Sequence, residues 1–383
     1  MSLVIHSVTL VSDGVVLDDA WVRFDGERVA DVGTGREWTD AAADDVVDGT
    51  AVAGPGARLV PGFIDIHGHG GGGFAFDDGP DAIRAARAVH RGHGTTRAVV
   101  SLVTAPLETL ERRAAVVADL VATDADILGS HLEGPFLDLT RKGAHDASLL
   151  RTPAPDAVSR LLEAGRGTVR QITIAPELDG GLDAIRAVVA SGAAAAVGHT
   201  SADFAQAVAA FDAGATILTH AFNAMNGLHH RDPGPVAAAA ADPRVTLEVI
   251  ADGVHLHPEI VRLAFTAAPH RIALITDAMA AAGSADGRYE LGSLEVEVID
   301  GTARLVQGGA IAGSTLTQDA ALRFAVASGI PVADAIAALT TVPARAIGRG
   351  HDLGAVAPGY LADAVLLTAD HHVRGVWTGG VAV

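Results

Sequence analysis

The chain has 383 residues, 49% of them hydrophobic, and a formal net charge of −19 from 27 Lys and Arg against 46 Asp and Glu. This composition excludes a disordered polyelectrolyte and leaves enough chain for one large domain or two modest ones. The acidic balance argues against sequence-independent nucleic-acid binding, because no basic excess exists to release counterions. The absence of cysteine excludes disulfide scaffolds, thiolate metal sites and cysteine nucleophiles.

Both chain ends have the pattern of short β-strands. Residues 1–57 alternate β-like runs with turn signals such as Asp25-Gly26, and residues 350–383 have a similar pattern. We therefore predict a small β-sandwich domain built from residues 1–57 and 350–383, which encloses a middle domain of residues 58–349. No targeting segment is visible, and no apolar run approaches the roughly 18 residues of a membrane span. We expect a cytoplasmic protein that does not bind membranes.

The middle of the chain has a repeated architecture. Eight apolar runs rich in β-branched residues are mostly separated by segments with a helical period. The runs are residues 59–67, 95–102, 126–133, 169–177, 193–200, 215–222, 245–252 and 271–278. Eight strand-plus-helix units predict the α/β fold class and a parallel (β/α)8 TIM barrel, whose chemistry lies at the C-terminal strand ends. Residues 283–315 carry Asp-Gly turn signals and predict β-rich loops that cover the site.

Residue types that bind metals end five of the eight predicted strands. They are His67 and His69 after the first strand, Glu133 at the third, His199 at the fifth, His220 at the sixth and Asp277 at the eighth. Because barrel strand ends meet at one face, we expect these side chains to converge. Neutral imidazoles and a carboxylate suit Zn²⁺, Fe²⁺ and related divalent ions.

The single lysine narrows the chemistry further. Lys142 lies in a predicted loop, so it cannot supply a carbamylated bridge between two metals or a buried Schiff base. Glu133 is therefore expected to be the bridging group. Asp277 can take a proton from a metal-bound water and return it to a leaving amine, although a helix N-cap is the alternative. Asp65 can orient an imidazole or simply be a polar residue in the barrel mouth.

Several motifs together resemble a known family. PGFIDIHGHGGGG, HLEGPFL, KGAH, VGHT, THAFNAMNGLHHRDPG, ADGVHL and TDAM resemble the N-acetylglucosamine-6-phosphate deacetylases of the amidohydrolase superfamily. The resemblance runs over the whole chain. It implies hydrolysis of N-acetyl-D-glucosamine 6-phosphate to D-glucosamine 6-phosphate and acetate by a metal-activated hydroxide.

The resemblance also implies a metal set. Glu133, His199 and His220 match the metal-binding positions of the family. His67 and His69 match a pair that some members keep, with a second metal position, and others replace. We therefore expect one or two divalent ions per subunit, zinc foremost, with iron, manganese or cobalt as alternatives.

Further positions match the catalytic and substrate-binding residues of the family. Asp277 matches the catalytic acid and base, and His145 matches a histidine near the acetyl carbonyl of the substrate. The positions that hold the sugar phosphate match Asn223, Ala224, Arg231 and His255. In the family the arginine reaches into the neighbouring site, so a homodimer is implied. From the residues alone, His145 could equally be a surface histidine and Arg231 part of a solvated cluster.

Two rival functions remain open from the sequence. Another amidohydrolase, such as a cyclic-imide or dipeptide hydrolase, would share the metals but have no use for Arg231. A catalytically inactive homologue would bind a sugar phosphate as a sensor or scaffold, although every catalytic position here holds competent chemistry. The net charge should repel an anionic substrate at long range, whereas divalent metals and the basic patch at 229–231 can reverse that field locally.

Overall fold

A computed structural model describes residues 2–40 and 43–383 of the chain. In chain order the strands are β1 (Ser2–Ser12), β2 (Val15–Asp25), β3 (Arg28–Thr34), β4 (Asp45–Asp48), β5 (Arg58–Pro61), β6 (Phe63–Asp65), β7 (Gly70–Gly71), β8 (Phe74–Ala75), β9 (Thr95–Val103), β10 (Ile127–Glu133), β11 (Val169–Ile174), β12 (Ala194–Val197), β13 (Ile217–Leu218), β14 (Thr246–Ile250), β15 (Ile272–Ile275), β16 (Gly287–Leu291), β17 (Leu294–Ile299), β18 (Thr302–Leu305), β19 (Ala364–Leu367), β20 (Val373–Thr378) and β21 (Val381–Ala382).

The α-helices alternate with the strands through the middle of the chain. They are α1 (Gly49–Ala53), α2 (Pro80–Gly92), α3 (Leu107–Val121), α4 (Pro155–Ala164), α5 (Gly181–Ala190), α6 (Phe204–Asp212), α7 (Gly234–Ala241), α8 (Pro258–Ala267), α9 (Gln318–Ala327), α10 (Val332–Leu339) and α11 (Thr341–Ala346). Short 3₁₀ helices cover Glu37–Asp40, Phe76–Asp78, Leu139–Arg141 and Ala147–Leu149. Among the described residues, no helix has the length and apolar character needed to cross a bilayer.

Eight parallel strands form the predicted barrel. Their order is β6-β9-β10-β11-β12-β13-β14-β15, and each overlaps one of the eight apolar runs. Two backbone hydrogen bonds join the two ends of this sheet, one from the N–H of Asp277 to the carbonyl of His67 (2.9 Å) and one from the N–H of His69 to the carbonyl of Ala278 (2.7 Å). The predicted (β/α)8 fold class is confirmed.

Amphipathic helices cover the outside of the barrel. In α2 the apolar residues Ile83 and Ala86 are buried, and in α3 the buried set includes Leu110, Ala114 and Val117. Their spacing of three or four residues places them on one helix face. All five belong to the same apolar core as the barrel strands, so burial of this face holds each helix against the sheet.

The chain ends together form a second β-sheet. Its order is β21-β20-β19-β5-β1-β2-β3, and β4 also pairs with β1. The predicted β domain from both ends is thus confirmed, and its strands are joined in one hydrogen-bonded sheet. A buried ion pair links it to the barrel, since Arg97 of β9 donates from Nη2 to Oδ1 of Asp363 at 2.9 Å. The domain boundaries at 57/58 and 349/350 stay a prediction.

Two small sheets lie over the carboxyl end of the barrel. Strands β16, β17 and β18 form an antiparallel sheet in the segment predicted to be β-rich, and β7 pairs with β8 in the glycine-rich run. Gly72 and Gly73 donate backbone hydrogen bonds to the carbonyls of Ala282 and Ala280. A side chain at Gly70 would place its Cβ 2.3 Å from the carbonyl oxygen of Phe74, so this close backbone approach requires glycine.

Candidate active site

The predicted metal ligands lie together at the carboxyl end of the barrel. His67 and His69 follow β6, Glu133 ends β10, His199 follows β12 and His220 follows β13. All five side chains are buried. Parallel strands present their carboxyl ends at one face of the barrel, which is why side chains so distant in sequence converge here.

The carboxylate of Glu133 stands at the centre of this cluster. Its Oε1 lies 3.1 Å from Nε2 of His199 and 3.2 Å from Nε2 of His220. The same Oε1 lies 3.3 Å from Nε2 of His67, and Oε2 lies 3.1 Å from Nε2 of His69. Glu133 thus lies within 3.3 Å of all four histidines.

Two overlapping groups of possible ligand atoms share this carboxylate. Within each group the ligand atoms lie within 4.8 Å of one another; the groups are His67, His69 and Glu133, and Glu133, His145 and His199. The buried histidines and the glutamate are consistent with a divalent metal site.

The ring orientation of His199 fits a bound cation. Its Nδ1 lies 2.9 Å from the carbonyl oxygen of Arg141, which can only accept, so the proton of the neutral ring is on Nδ1. The unprotonated Nε2 then lies 2.9 Å from Nε2 of His220 and 3.1 Å from Oε1 of Glu133. Electron pairs at this spacing repel one another unless a proton or a cation lies between them.

The electrostatics of the cluster point the same way. Burial opposes protonation of His69, but hydrogen bonds to Asp277 and Glu133 outweigh it and raise the pKa of His69 to about 9. Burial likewise opposes ionisation of Asp277, yet the hydrogen bond from His69 and the charge of His67 lower its pKa to about 2. The same balance holds the pKa of Glu133 well below its usual range. The cluster therefore attracts positive charge strongly.

Asp277 lies at the edge of the cluster formed by His67, His69, Glu133, His199 and His220, called the metal cluster below. It also lines a cavity beside this cluster. Its Oδ1 is 3.3 Å from Nε2 of His69 and 3.6 Å from Nε2 of His67. No helix of the described residues begins at Asp277, so the N-cap alternative is wrong. Its backbone carbonyl instead accepts from the N–H of Ser314 at 2.7 Å, which ties it to the covering loops.

Three of the site residues that follow barrel strands have a backbone conformation that is rare outside glycine. The φ angle is 46° at His199, 29° at His220 and 48° at Asp277. Each stands two residues beyond the end of its strand. Such conformations cost about 1–3 kcal/mol each and persist where the surrounding structure determines them. The sharp turn directs each side chain back over the barrel mouth.

A cavity of about 310 Å³ adjoins the cluster. Among the predicted substrate-binding residues, His145, Asn223, Ala224 and His255 line it. His145 is buried, and its Nε2 lies 3.5 Å from Oε2 of Glu133, so the surface alternative for this histidine is wrong. The cavity thus joins the metal cluster to the predicted phosphate-binding positions.

Arg231 is placed differently from the other predicted residues. Its side chain is exposed in the loop after β13, and it is not among the described residues that line the cavity. The neighbouring His229 and His230 are also exposed. Within one subunit, Arg231 therefore stands apart from the site.

Sequence reasoning missed several residues of the site. Arg141 lines the cavity and also fixes His199 through its carbonyl oxygen. Glu248 in β14 is fully buried and contacts the ring of His67, the role considered for Asp65. Asp65 instead accepts from the backbone N–H of His67 at 3.2 Å. Glu248 is the carboxylate inside the apolar run at 245–252, whose other carboxylate, Asp252, only ends the run, and this position was a signal for it.

The comparison with known families agrees with this geometry. The sequence profile described as Amidohydrolase family matches residues 58–383. The chain belongs to the amidohydrolase family.

In sequence, this amidohydrolase is similar to sugar-phosphate deacetylases. It is 42% identical over 328 residues to the N-acetylgalactosamine-6-phosphate deacetylase of Escherichia coli O157:H7, covering 84% of this chain and 86% of that protein. It is 36% identical over 331 residues to the N-acetylglucosamine-6-phosphate deacetylase of Vibrio furnissii, covering 84% and 82%.

A solved structure is similar over the whole length of this amidohydrolase. It is a mutant of N-acetyl-D-glucosamine-6-phosphate deacetylase from Mycobacterium smegmatis in complex with N-acetyl-D-glucosamine-6-phosphate. The TM-score is 0.93 at 43% sequence identity, and the match covers 100% of this chain and 98% of that one.

Proposed function

We propose that this amidohydrolase removes the acetyl group from N-acetyl-D-glucosamine 6-phosphate, giving D-glucosamine 6-phosphate and acetate. The observation that carries the proposal is one cavity lined both by Asp277 and Glu133 with its histidines and by Asn223 and His255. A substrate bound in this cavity would have its acetamide at the cluster and its phosphate at Asn223 and His255. The similar structure with bound N-acetyl-D-glucosamine-6-phosphate supports this choice.

A divalent metal belongs to the proposal. Glu133, His199 and His220 would hold one ion, and His67 and His69 with Glu133 would hold a second. Zinc suits this set of imidazoles and carboxylate, with iron, manganese and cobalt as alternatives. When bound, such an ion lowers the pKa of water to about 7 and polarises a carbonyl group.

Asp277 is proposed to move the proton. Burial opposes ionisation of Asp277, but in the cluster without metal the hydrogen bond from His69 and the charge of protonated His67 outweigh it and lower the pKa of Asp277 to about 2, so its carboxylate is ionised there. It can accept the proton of the attacking water at Oδ1 and deliver it to the sugar nitrogen as the C–N bond breaks. The water oxygen ends in acetate, and the amine leaves with the sugar.

His145 is proposed to hold the acetyl carbonyl. It lines the cavity, and its ring packs edge-on against that of His199 with the ring centres 4.7 Å apart. Its Nε2 lies 3.5 Å from Oε2 of Glu133, beside the cluster at which the carbonyl would be polarised. A donor held there stabilises the negative charge that develops on the carbonyl oxygen.

The phosphate end of the substrate needs positive charge. Burial opposes protonation of His255, but the hydrogen bond from its Nδ1 to Oδ2 of Asp252, 2.7 Å long, outweighs it and raises the pKa of His255. The amide of Asn223 and the backbone at Ala224 add neutral donors. We propose that Arg231 of a second subunit completes this site, because the residue is exposed and its guanidinium suits a phosphate.

Homodimer formation follows from that role of Arg231. A cytoplasmic location is part of the same proposal. The homodimer rests on the sequence resemblance, and the exposure of the 229–231 loop is compatible with an interface.

The C4 epimer is a second candidate substrate. The relative from Escherichia coli, at 42% identity, carries the name N-acetylgalactosamine-6-phosphate deacetylase. The two substrates differ only in the direction of one hydroxyl group. A cavity of about 310 Å³ must distinguish the two directions by a few polar contacts.

One experiment separates these candidates. Acetate release is measured with the purified metal-loaded enzyme on each 6-phosphate, with and without a chelator. We expect a higher kcat/KM for the glucosamine derivative and loss of activity with chelator. A higher kcat/KM for the galactosamine derivative would reverse the assignment, and no release from either would favour a sugar-phosphate sensor.

A further inference from the structure

Glu248 is a fully buried carboxyl group beneath the metal cluster. It lies in β14 with no accessible surface and is not among the described residues that line the cavity. Three N–H groups surround it. Oε2 lies 3.0 Å from Nδ1 of His67 and accepts from the backbone N–H of His220 at 3.3 Å, and Oε1 accepts from Nε2 of Gln171 at 2.8 Å.

A carboxyl group at this depth needs a reason. Burying a glutamate without partners costs several kcal/mol, and an apolar residue would serve the barrel core better. The three donors satisfy Glu248, but two of them are on residues of the metal cluster. The carboxyl contacts the imidazole ring of His67 directly, but only the backbone N–H of His220.

The contact with Glu248 fixes which nitrogen of His67 is protonated. A carboxylate accepts, so the proton of the neutral imidazole lies on Nδ1. Nε2 is then bare and faces Nε2 of His69 at 3.3 Å and Oε1 of Glu133 at 3.3 Å. Without this contact, His67 is free to carry its proton on Nε2, where it cannot bind a metal.

The contact is specific to one side of the cluster. On the other side, the backbone carbonyl of Arg141 fixes the tautomer of His199, and no side-chain substitution can remove this hydrogen bond. Among the described residues, Nδ1 of His69 and Nδ1 of His220 are buried without a hydrogen-bond partner. Glu248 is thus the side chain that selects a tautomer in this centre.

We propose that Glu248 is a positioning residue that holds His67 in its Nδ1–H tautomer and thereby sets the affinity for the ion at His67 and His69. The ion at Glu133, His199 and His220 depends on it far less. This inference rests on the metal centre of the proposed function, and not on the identity of the sugar.

The test measures metal binding. Apo protein is prepared for the wild type, Glu248→Ala, Glu248→Gln, His67→Ala and the double variant His67→Ala/Glu248→Ala. Zinc per chain is determined by elemental analysis, and both affinities by competition with a chromophoric chelator. Asp126→Asn is the matched control, because Asp126 is a buried carboxylate that bonds Arg87 and Arg91 just before β10, at the opposite end of that strand from Glu133.

We expect the wild type to bind two ions, and Glu248→Ala to weaken one of them roughly 10- to 100-fold, as removal of such supporting groups does. The other affinity should stay within about threefold, a difference close to the usual additivity error. His67→Ala should give the same selective loss, and the double variant should lose no more than His67→Ala. Asp126→Asn should keep both affinities, whatever it does to stability.

If Glu248→Ala does not fold, the isosteric variant Glu248→Gln still tests the inference. In Glu248→Gln the amide oxygen can still accept from His67 if Gln171 turns its own amide, so the selective loss should be smaller but measurable. Wild-type affinities for both ions in either folded variant would overturn the inference. A wild type that binds a single ion, or equal loss of both ions, would overturn it as well.

The readout separates this inference from the function. An enzyme that deacetylates the sugar phosphate while Glu248→Gln retains both wild-type affinities contradicts the inference alone. A protein that hydrolyses neither sugar, yet loses one ion selectively in Glu248→Ala, contradicts the proposed function alone.

Discussion

The backbone N–H of Asp277 donates to the carbonyl oxygen of His67 at 2.9 Å, and this bond joins the last strand of the barrel to the first. The side chains of the same two residues approach within 3.6 Å, between Oδ1 and Nε2. The contacts between these two residues therefore close the barrel and assemble the site at the same place. Asp277 is held at the metal cluster by backbone as well as by side-chain contacts.

Asp277→Asn tests the proton-transfer role. The amide keeps the size of the side chain but cannot accept the proton, so kcat should fall by about 10²- to 10⁴-fold. Metal content should remain largely intact, because Glu133 and the histidines hold the ions. Near-wild-type turnover in the Asn variant would show that another group moves the proton.

Arg231→Ala tests the phosphate contact. Loss of a charge-assisted hydrogen bond costs about 1.5–3 kcal/mol, so KM for the 6-phosphate should rise roughly 10- to 100-fold. Arg186→Ala is the control, since Arg186 is an exposed arginine on α5 that pairs only with Asp183 among the described residues. An unchanged KM in Arg231→Ala would leave Arg231 as part of a solvated surface cluster.

Mixing Arg231→Ala and Asp277→Asn subunits tests whether Arg231 acts across a dimer, when activity is measured at substrate concentrations far below the raised KM of Arg231→Ala. In a hybrid of Arg231→Ala and Asp277→Asn subunits, one of the two sites combines an intact Asp277 with an intact Arg231 from its neighbour. Random pairing of equal amounts should restore about a quarter of the wild-type activity. Activity that never exceeds the sum of the two separate variants contradicts the shared site.

The net charge of −19 predicts an unusual salt dependence. An anionic substrate is repelled at long range and attracted only near the metals and basic groups, so screening removes repulsion first. Raising the salt from about 0.05 M to about 0.3 M should leave kcat/KM unchanged or raise it. A strong fall in kcat/KM over this range would reveal long-range attraction instead.

His90 predicts a pH dependence of stability. It lies buried in α2, 2.8 Å from the carbonyl oxygen of Gly70, and burial lowers its pKa from 6.5 to about 4 although this hydrogen bond opposes the shift. Between these values the unfolded chain binds a proton that the folded protein does not. The contribution of His90 to the free energy of unfolding should therefore fall by about 3 kcal/mol as the pH drops from about 6.5 to about 4.

His90→Gln isolates this contribution. The amide can still donate to Gly70 but does not titrate, so the free energy of unfolding of the variant, from urea melts, should vary less with pH in that window. The wild type should therefore lose stability relative to the variant as the pH falls. Curves that stay parallel from pH 4 to pH 7 would show that His90 does not carry this dependence.

The strand-end residues were predictable because topology alone brings them together. His67, His199, His220 and Asp277 each stand two residues beyond a parallel strand, and parallel strands end at one face. This convergence could be predicted without side-chain geometry, from the number of strands and the positions of their ends.

The supporting residues depend on three-dimensional register and were missed for that reason. Glu248 lies inside β14, and whether its side chain points into the barrel follows from the pleat of a strand whose bounds the sequence leaves uncertain. Asp65 was a reasonable choice to orient an imidazole, but it reaches the backbone of His67 and the hydroxyl of Thr276 instead. Arg141 acts through its carbonyl, which no side-chain pattern can reveal.

The most direct test of the account compares kcat/KM for N-acetylglucosamine 6-phosphate and unphosphorylated N-acetylglucosamine, with metal-loaded and chelator-treated enzyme. We predict that the phosphate raises kcat/KM by at least about 100-fold, or roughly 3 kcal/mol, and that removing the metal abolishes deacetylation of both sugars. Equal kcat/KM values for the two sugars, or full activity without metal, would contradict the proposed metal-dependent sugar-phosphate deacetylase.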